Sequence, residues 1–214
     1  MNPVAHIIWD WNGTLLQDAE LGRSIMNGML ARRQLPLLTR ERYREILTFP
    51  IIEYYRMAGI DLARESFDTL AVEYVAAYEA GWRACTLEPG VEDVVRRAAD
   101  AGITQSILSA NRHDRLLEQL RYYGLTDFFV RIEGISDDLA YGKEHLAQGH
   151  MASLGVPADS AVYIGDTLHD AQSAQAMGCR CVLVSWGHQS EARLAAAGVP
   201  LCRQPGELIP LLGL

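Results

Sequence analysis

Residues 4–15 read Val4-Ala5-His6-Ile7-Ile8-Trp9-Asp10-Trp11-Asn12-Gly13-Thr14-Leu15. A short Ile-rich run stops at a carboxylate and is followed by an amide, a glycine and a hydroxyl. An apolar run of this length, closed by a turn signal, reads as a buried parallel strand. Asp10 then sits at the strand's carboxyl end, the edge where open α/β sheets bind their ligands. Asn12-Gly13 is a turn dipeptide, and Gly13 lets the backbone turn tightly. A lone aspartate there carries little weight, because many such residues merely cap the next helix.

This aspartate has company. Ile103 to Ser109 is a second short apolar run, ending in a hydroxyl. Ala161-Val162-Tyr163-Ile164-Gly165-Asp166 is a third, ending in another aspartate, with Asp170 four residues on. Between them lies Gly142-Lys143, and Lys143 is the only lysine in the chain. In this order, Asp10-Trp11-Asn12-Gly13-Thr14-Leu15, Ser109, Lys143 and Gly165-Asp166-(x3)-Asp170 resemble the four motifs of the haloacid dehalogenase-like hydrolases. The likeness is strongest to their phosphoglycolate phosphatase-like branch and spans most of the chain.

Composition fits a soluble, compact protein. The 214 residues suffice for one sizeable domain plus a smaller one. Nineteen basic against 27 acidic residues leave a net charge of −8, which argues against nucleic acid or an anionic membrane as a partner. No apolar run approaches the roughly 18 residues of a membrane helix. No charged segment followed by an apolar one marks a secretory signal. Cys85, Cys179, Cys181 and Cys202 form no metal-type pair of pairs and read as reduced, mostly buried thiols. A cytoplasmic enzyme follows most simply, with a monomer as the default.

After Asp10 the strand grammar stops for about seventy residues, and the pattern is helical to Trp82. Ile25, Met26, Met29 and Leu30 recur at helix spacing. Thr39 caps a second helix, Pro50 opens a third, and Ala63 to Trp82 makes a fourth. A crossover needs only one helix, so this insert is a small helical domain over residues 16–84, and the resemblance implies a cap closing over the site. The core, residues 1–15 and 85–214, alternates helices with strands at 103–109, 128–132, 161–166 and 180–185. A last helix spans 191–197, and a short turn spans 207–212. That alternation implies a doubly wound parallel sheet, a Rossmann-like α/β core.

The chemistry follows from these residue types. A phosphate monoester is a dianion, so carboxylate attack on it is opposed by repulsion. Asp10 and Asp166 can share one Mg²⁺, a hard ion that prefers oxygen ligands. Asp170, one helical turn on, can hold a metal-bound water or order the loop. Lys143 supplies a point charge. Ser109 and the backbone N–H groups of Ala110 and Asn111, at a helix start, can take the remaining phosphoryl oxygens. By resemblance, Asp10 is the nucleophile that forms an aspartyl-phosphate, Asn12 adds its backbone carbonyl to the metal, and Gly13 and Thr14 border the phosphate. Blander roles stand beside these: a turn hydroxyl for Thr14, a helix cap for Asn111 and a surface loop for His169. Arg112 also follows Ser109 within reach of a substrate.

Two positions depart from the family pattern. Most family phosphatases carry an aspartate two residues after the nucleophile, which protonates the leaving group; here that position is Asn12. An amide can neither give nor take the proton, and general acid–base catalysis is worth roughly 10²–10⁴ in rate. Either the leaving group is good enough to need no proton, or another acid such as Asp18 acts, or the protein binds phosphate without turning it over. Glu144 stands where proline often follows the lysine, which touches only local loop shape. A Mg²⁺-dependent phosphatase acting on a small phosphorylated metabolite leads. A phosphate-binding protein follows, and then a phosphomutase, which needs the missing acid even more. The cap arginines Arg23, Arg33, Arg40, Arg44 and Arg56 are candidates for reading an anionic group on the substrate, and the cap tyrosines and Trp82 for framing an apolar one.

Overall fold

The computed structural model describes residues 2–136 and 143–214; Gly142 lies outside them. Six parallel strands form the sheet: β1 (His6–Trp9), β2 (Thr104–Arg112), β3 (Arg131–Ile135), β4 (Ala161–Gly165), β5 (Arg180–Val184) and β6 (Leu201–Cys202). Their spatial order is β3-β2-β1-β4-β5-β6. β1 and β4 are buried along their whole length, as strands covered on both faces must be. Trp9 pairs with Ile107 on one side and Ile164 on the other. The chain leaves β1 toward β2 in one direction and returns to β4 in the other, which makes the carboxyl end of β1 the switch point where such sheets bind ligands. Asp10 and Asp166 both lie there, and Asp10 N donates to Ile164 O at 2.8 Å.

Four helices follow β1: α1 (Ala19–Arg32), α2 (Arg40–Ile46), α3 (Ile51–Met57) and α4 (Phe67–Gly81). They bury their own apolar cluster, with Met26, Met29, Leu30, Tyr43, Ile46 and Leu70 at its centre. Two other clusters cover the two faces of the sheet. The chain enters and leaves the helical unit side by side. Gln17 N donates to Thr86 O and Glu88 N to Leu15 O, both at 2.9 Å. Thr39 caps α2 by accepting from Arg42 N at 3.1 Å.

The remaining helices are α5 (Val91–Asp100), α6 (His113–Tyr122), α7 (Glu144–Ser153), α8 (Leu168–Met177), α9 (Glu191–Leu194) and α10 (Leu208–Leu212). Gly178, at φ +69°, ends α8 in the left-handed conformation. No helix among the described residues is long and apolar enough to cross a membrane.

Several boundaries differ from the sequence reading. α4 begins at Phe67 rather than residue 63, because Asp61 turns the preceding segment through Ala63 N at 3.0 Å and Ser66 supplies the cap. β3 begins at Arg131; Thr126–Phe128 instead forms a helical turn that packs Phe129 into the core. β2 continues past Ser109 to Arg112 with an irregular register, so Ala110 and Asn111 belong to the strand rather than to a helix start, and α6 begins at His113. β6 was not foreseen, since two residues carry no periodicity.

Candidate active site

The floor of the site is a buried charge cluster. Lys143 extends its ammonium between Asp10 and Asp170; it pairs with Asp10 Oδ1 and, at 2.7 Å, with Asp170 Oδ1. It also donates to Leu108 O at 3.2 Å and lies 5.2 Å from the Tyr163 ring centre. The lysine is 2% exposed. Burial alone would strip its proton, but Asp10 and Asp170 outweigh that and hold it charged. Burial pushes Asp10 up against the pull of Lys143, with Asp170 and Asp166 adding like charge.

Asp170 is fully engaged. Its Oδ2 accepts from Asp166 N at 3.0 Å, Thr167 N at 2.8 Å and Thr167 Oγ1 at 2.7 Å, and Tyr163 OH lies 3.3 Å from Oδ1. This is a capping box at the start of α8, so one carboxylate both starts the helix and fixes the lysine. Asp10 Oδ2 and Asp166 Oδ1 are less committed. The Thr14 hydroxyl bridges them at 3.5 and 3.3 Å. Asp10, Asp166 and Asp170 offer oxygens within 4.8 Å of one another.

Gly13 adopts φ +73°, and a Cβ there would collide with Asp166 and His188, so the tight turn and the close approach both require glycine. Ser109 is buried, and its Oγ accepts from Asn111 N at 3.2 Å. Asn111 donates to Gln119 Oε1 at 2.8 Å, which also holds the Trp11 indole at 2.7 Å. Ala110 lines the cavity between them.

Beside the charged floor lies a second network, in which the sequence reading singled out Asn12 and Asp18 and named the cap tyrosines only as a group, but missed His188. The Asn12 amide donates to Asp18 Oδ2 at 2.6 Å and to Tyr78 OH at 2.7 Å. Asp18 also accepts from Tyr78 OH at 2.8 Å, from Gly13 N at 2.9 Å and from His188 Nε2 at 3.2 Å. The other His188 nitrogen meets Tyr43 OH at 2.7 Å, and its backbone N–H donates to Asp166 Oδ2. Burial opposes the charge on Asp18, but His188, Asn12 and Tyr78 together hold its carboxyl below the usual range. Burial likewise opposes protonation of His188, yet Asp18 and Asp166 raise it to about 9. His188 follows β5 at the same carboxyl edge as Asp10 and Asp166; its place after a strand was the available signal.

His169 is buried rather than on the surface. It packs 4.7 Å from the Phe49 ring because the first turn of α8 faces the cap. Together these residues floor a cavity of about 170 Å³, below the roughly 300–1,000 Å³ of common ligand sites. The five cap arginines do not line it. Arg33 is held by Glu65 at 2.6 Å and Glu73 at 2.7 Å, Arg56 pairs with Glu53, and Arg44 donates to the carbonyls of Ser185 and Gln189.

Comparison with known proteins agrees with this geometry. The haloacid dehalogenase-like hydrolase family matches residues 7–184. A phosphoglycolate phosphatase of Rhodobacter capsulatus is 28% identical over 187 residues, 86% of this chain and 85% of the relative. A tyrosine-protein kinase of Mycobacterium tuberculosis is 28% identical over 184 residues, which span 85% of this chain but 62% of the kinase. A haloacid dehalogenase-like family hydrolase from Streptococcus pneumoniae superposes with a TM-score of 0.84 over 99% of both chains at 18% identity, which speaks for the fold alone. From Asp10 at the carboxyl end of β1 to Asp170 in α8, the matched span holds every motif gathered at the switch point, and the chain belongs to the haloacid dehalogenase-like hydrolases as a phosphohydrolase of their phosphoglycolate phosphatase-like branch.

Proposed function

We propose that the protein is a Mg²⁺-dependent phosphatase that transfers the phosphoryl group of a small metabolite to Asp10 and then to water. The observation that carries this reading is the buried ammonium of Lys143 pairing with Asp10 beneath a small cavity. Residues 1–15 and 85–214 supply the catalytic core, and 16–84 the cap.

The donor set fits a divalent ion. Asp10, Asp18, Asp166 and Asp170 are buried together at this floor beside Lys143 and His188. Burial and neighbouring carboxylates push both Asp10 and Asp166 up, a crowding of acidic oxygens that one hard dication would relieve. Asp10, Asp166 and the carbonyl of Asn12 would hold Mg²⁺, with Asp170 ordering the loop or a bound water. When bound, the ion neutralises charge on the transferred phosphoryl oxygens.

The chain's own residues do the rest. Lys143 orients Asp10 and leaves its second oxygen to attack phosphorus. Ser109 and the backbone at Ala110 and Asn111 bound the phosphoryl group; Gly13 and Thr14 lie beneath the cavity rather than on its lining, where Gly13 makes the turn and Thr14 ties Asp10 to Asp166. Charge building on the phosphoryl oxygens meets Lys143 in a preorganised, water-poor site. Asn12 cannot protonate the leaving group, and Asp18, ionised and accepting from four donors, holds no proton to give. The substrate must therefore carry a leaving group that departs without help.

A phosphate-binding protein with little turnover is the second reading, favoured by the Asn12 amide being tied into the Asp18–Tyr78 network. Phosphate release from acetyl phosphate, with and without Mg²⁺, separates the two. Metal-dependent release that Asp10→Asn abolishes supports the phosphatase; tight phosphate binding without release supports the binder.

A further inference from the structure

We infer that the substrate is an aryl phosphate with a body no larger than about one ring, and that Tyr54 reads a polar atom on that ring. The inference rests on the phosphatase reading above and adds the substrate class.

Three observations converge on it. The cap side of the cavity is lined by Leu47, Phe49, Tyr55, Phe67, Ala71 and Val75, without a cap arginine among its lining residues. Arg112 and Arg115 line the core side of the same cavity, where Asp114 and Glu79 pair with them; a second anionic group directed at the cap side would lie against the apolar groups at a large desolvation cost. An aromatic body instead finds ring faces and edges there.

Size agrees. An apolar cavity of about 150 Å³ takes up one benzene ring. At about 170 Å³, a space that the phosphoryl group must share, this cavity bounds the body at about one ring and does not admit a nucleotide.

Leaving-group chemistry agrees independently. A phenol has a pKa near 10, whereas an aliphatic alcohol lies closer to the ~16 of water. With no acid at position 12 and Asp18 saturated, a phenolate can depart where an alkoxide cannot. In the first step the Asp10 oxygen–phosphorus bond forms as the phosphorus–aryl oxygen bond breaks. The electron pair stays on the phenolate oxygen, which takes its proton from solvent. Water then attacks phosphorus, releases Asp10 and leaves hydrogen phosphate.

A further observation concerns specificity. Tyr54 is 2% exposed, lines the cavity, and its hydroxyl has no hydrogen-bond partner among the described residues. A buried hydroxyl left this way carries a desolvation cost, which a polar atom on the substrate would recover. A site built to hydrogen-bond a substrate group discriminates strongly against the analogue lacking it.

The test measures kcat/KM with Mg²⁺ for acetyl phosphate, 2-phosphoglycolate, phenyl phosphate and the three hydroxyphenyl phosphates. Calorimetric binding of phenylphosphonate and methylphosphonate runs alongside. We expect phenyl phosphate to exceed 2-phosphoglycolate at least tenfold, phenylphosphonate to bind at least tenfold tighter than methylphosphonate, and one hydroxyphenyl isomer to exceed phenyl phosphate. Ala71→Phe, which fills the ring space, should cut phenyl phosphate at least tenfold more than acetyl phosphate. Tyr54→Phe should erase the hydroxyphenyl preference and spare phenyl phosphate, an effect that a merely structural tyrosine would not give. Turnover of acetyl phosphate with equal or better use of 2-phosphoglycolate would overturn the aryl inference alone. No turnover of any ester or of acetyl phosphate would overturn the phosphatase reading itself. The absence of any hydroxyphenyl preference in the native protein would overturn the role of Tyr54.

Discussion

The two walls of the cavity obey different physics. The core wall is a lattice of buried ions, in which Lys143 lies between Asp10 and Asp170, Asp166 stands beside those carboxylates, and every position is fixed by a strand end or a helix cap. The cap wall is aromatic and aliphatic, held together by packing within a separate apolar cluster. In the first, a change of one atom alters charge balance; in the second, it alters shape. Chemistry therefore resides in the wall that tolerates least, and choice of substrate in the wall that can be repacked at modest cost.

The contrast predicts the largest effects on the core wall. Asp10→Asn keeps the shape and removes the nucleophile. Metal-dependent phosphate release should fall by about 10⁴-fold or more, and residual activity within tenfold of the native protein would remove Asp10 from its role. Lys143→Met should act on both function and stability. It leaves Asp10 and Asp170 facing each other uncompensated, at a cost of about 3–5 kcal/mol, read as a lower urea midpoint. If the variant melts like the native protein, the ion cluster does not organise the core wall.

The same division explains what could be read from the chain alone. Strands ending in Asp10 and Asp166 are short, apolar and terminated by a charged residue, so period and punctuation located them. Asp170 and Lys143 followed by order and rarity. The Asn12–Asp18–His188–Tyr43–Tyr78 network joins residues up to 170 apart in the sequence, and only the cap packing against the β5 loop brings them together. His169 read as a surface residue because nothing local marks the cap that covers it. The cap arginines show the opposite: their charges suggested a ligand, but neighbouring glutamates and carbonyls take up Arg23, Arg33, Arg44 and Arg56. Local signals locate groups that a strand end presents, while tertiary contacts decide which groups on a helix remain available.

At the seam between the walls, Asn12→Asp should sharpen the division. The new carboxyl would sit in hydrogen-bond contact with Asp18 and retain a proton, as two adjacent carboxylates do. Turnover of esters with poor leaving groups should rise by about 10²-fold, while acetyl phosphate changes little. An unchanged alkyl ester rate would mean that the proton donor is not what limits the native protein.

The opposite end of β1 offers a polar cluster outside the cavity. His6 meets Thr104 Oγ1 at 2.6 Å and Ser106 Oγ at 2.8 Å, and Ser106 passes the chain to His150 at 2.9 Å. Burial, then His150, lowers His6 to about 4 from 6.5. Between those values the unfolded chain binds a proton that the folded one does not. The contribution is therefore full above pH 6.5 and lost as the pH falls toward 4, roughly 3 kcal/mol in all. His6→Gln should flatten that part of the stability profile in urea titrations from pH 4 to 7. An unchanged slope would refute the assignment.

The smallest expected effect tests whether the two walls are joined by more than packing. Tyr43, from α2 in the cap, and His188, from the loop after β5, share one hydrogen bond at 2.7 Å. Tyr43→Phe removes it and leaves a buried ring nitrogen without that partner, which should cost about 1–2 kcal/mol. His188 remains held by Asp18 at its other nitrogen and by its backbone contact to Asp166, so the core wall keeps its geometry and kcat should stay within a few-fold of native. KM should rise instead, because the cap wall loses one of its fixed points relative to the floor. A fall in kcat without a change in KM would place Tyr43 with the ions rather than with the aromatic wall, and the division between the two would have to be redrawn around the hydroxyl.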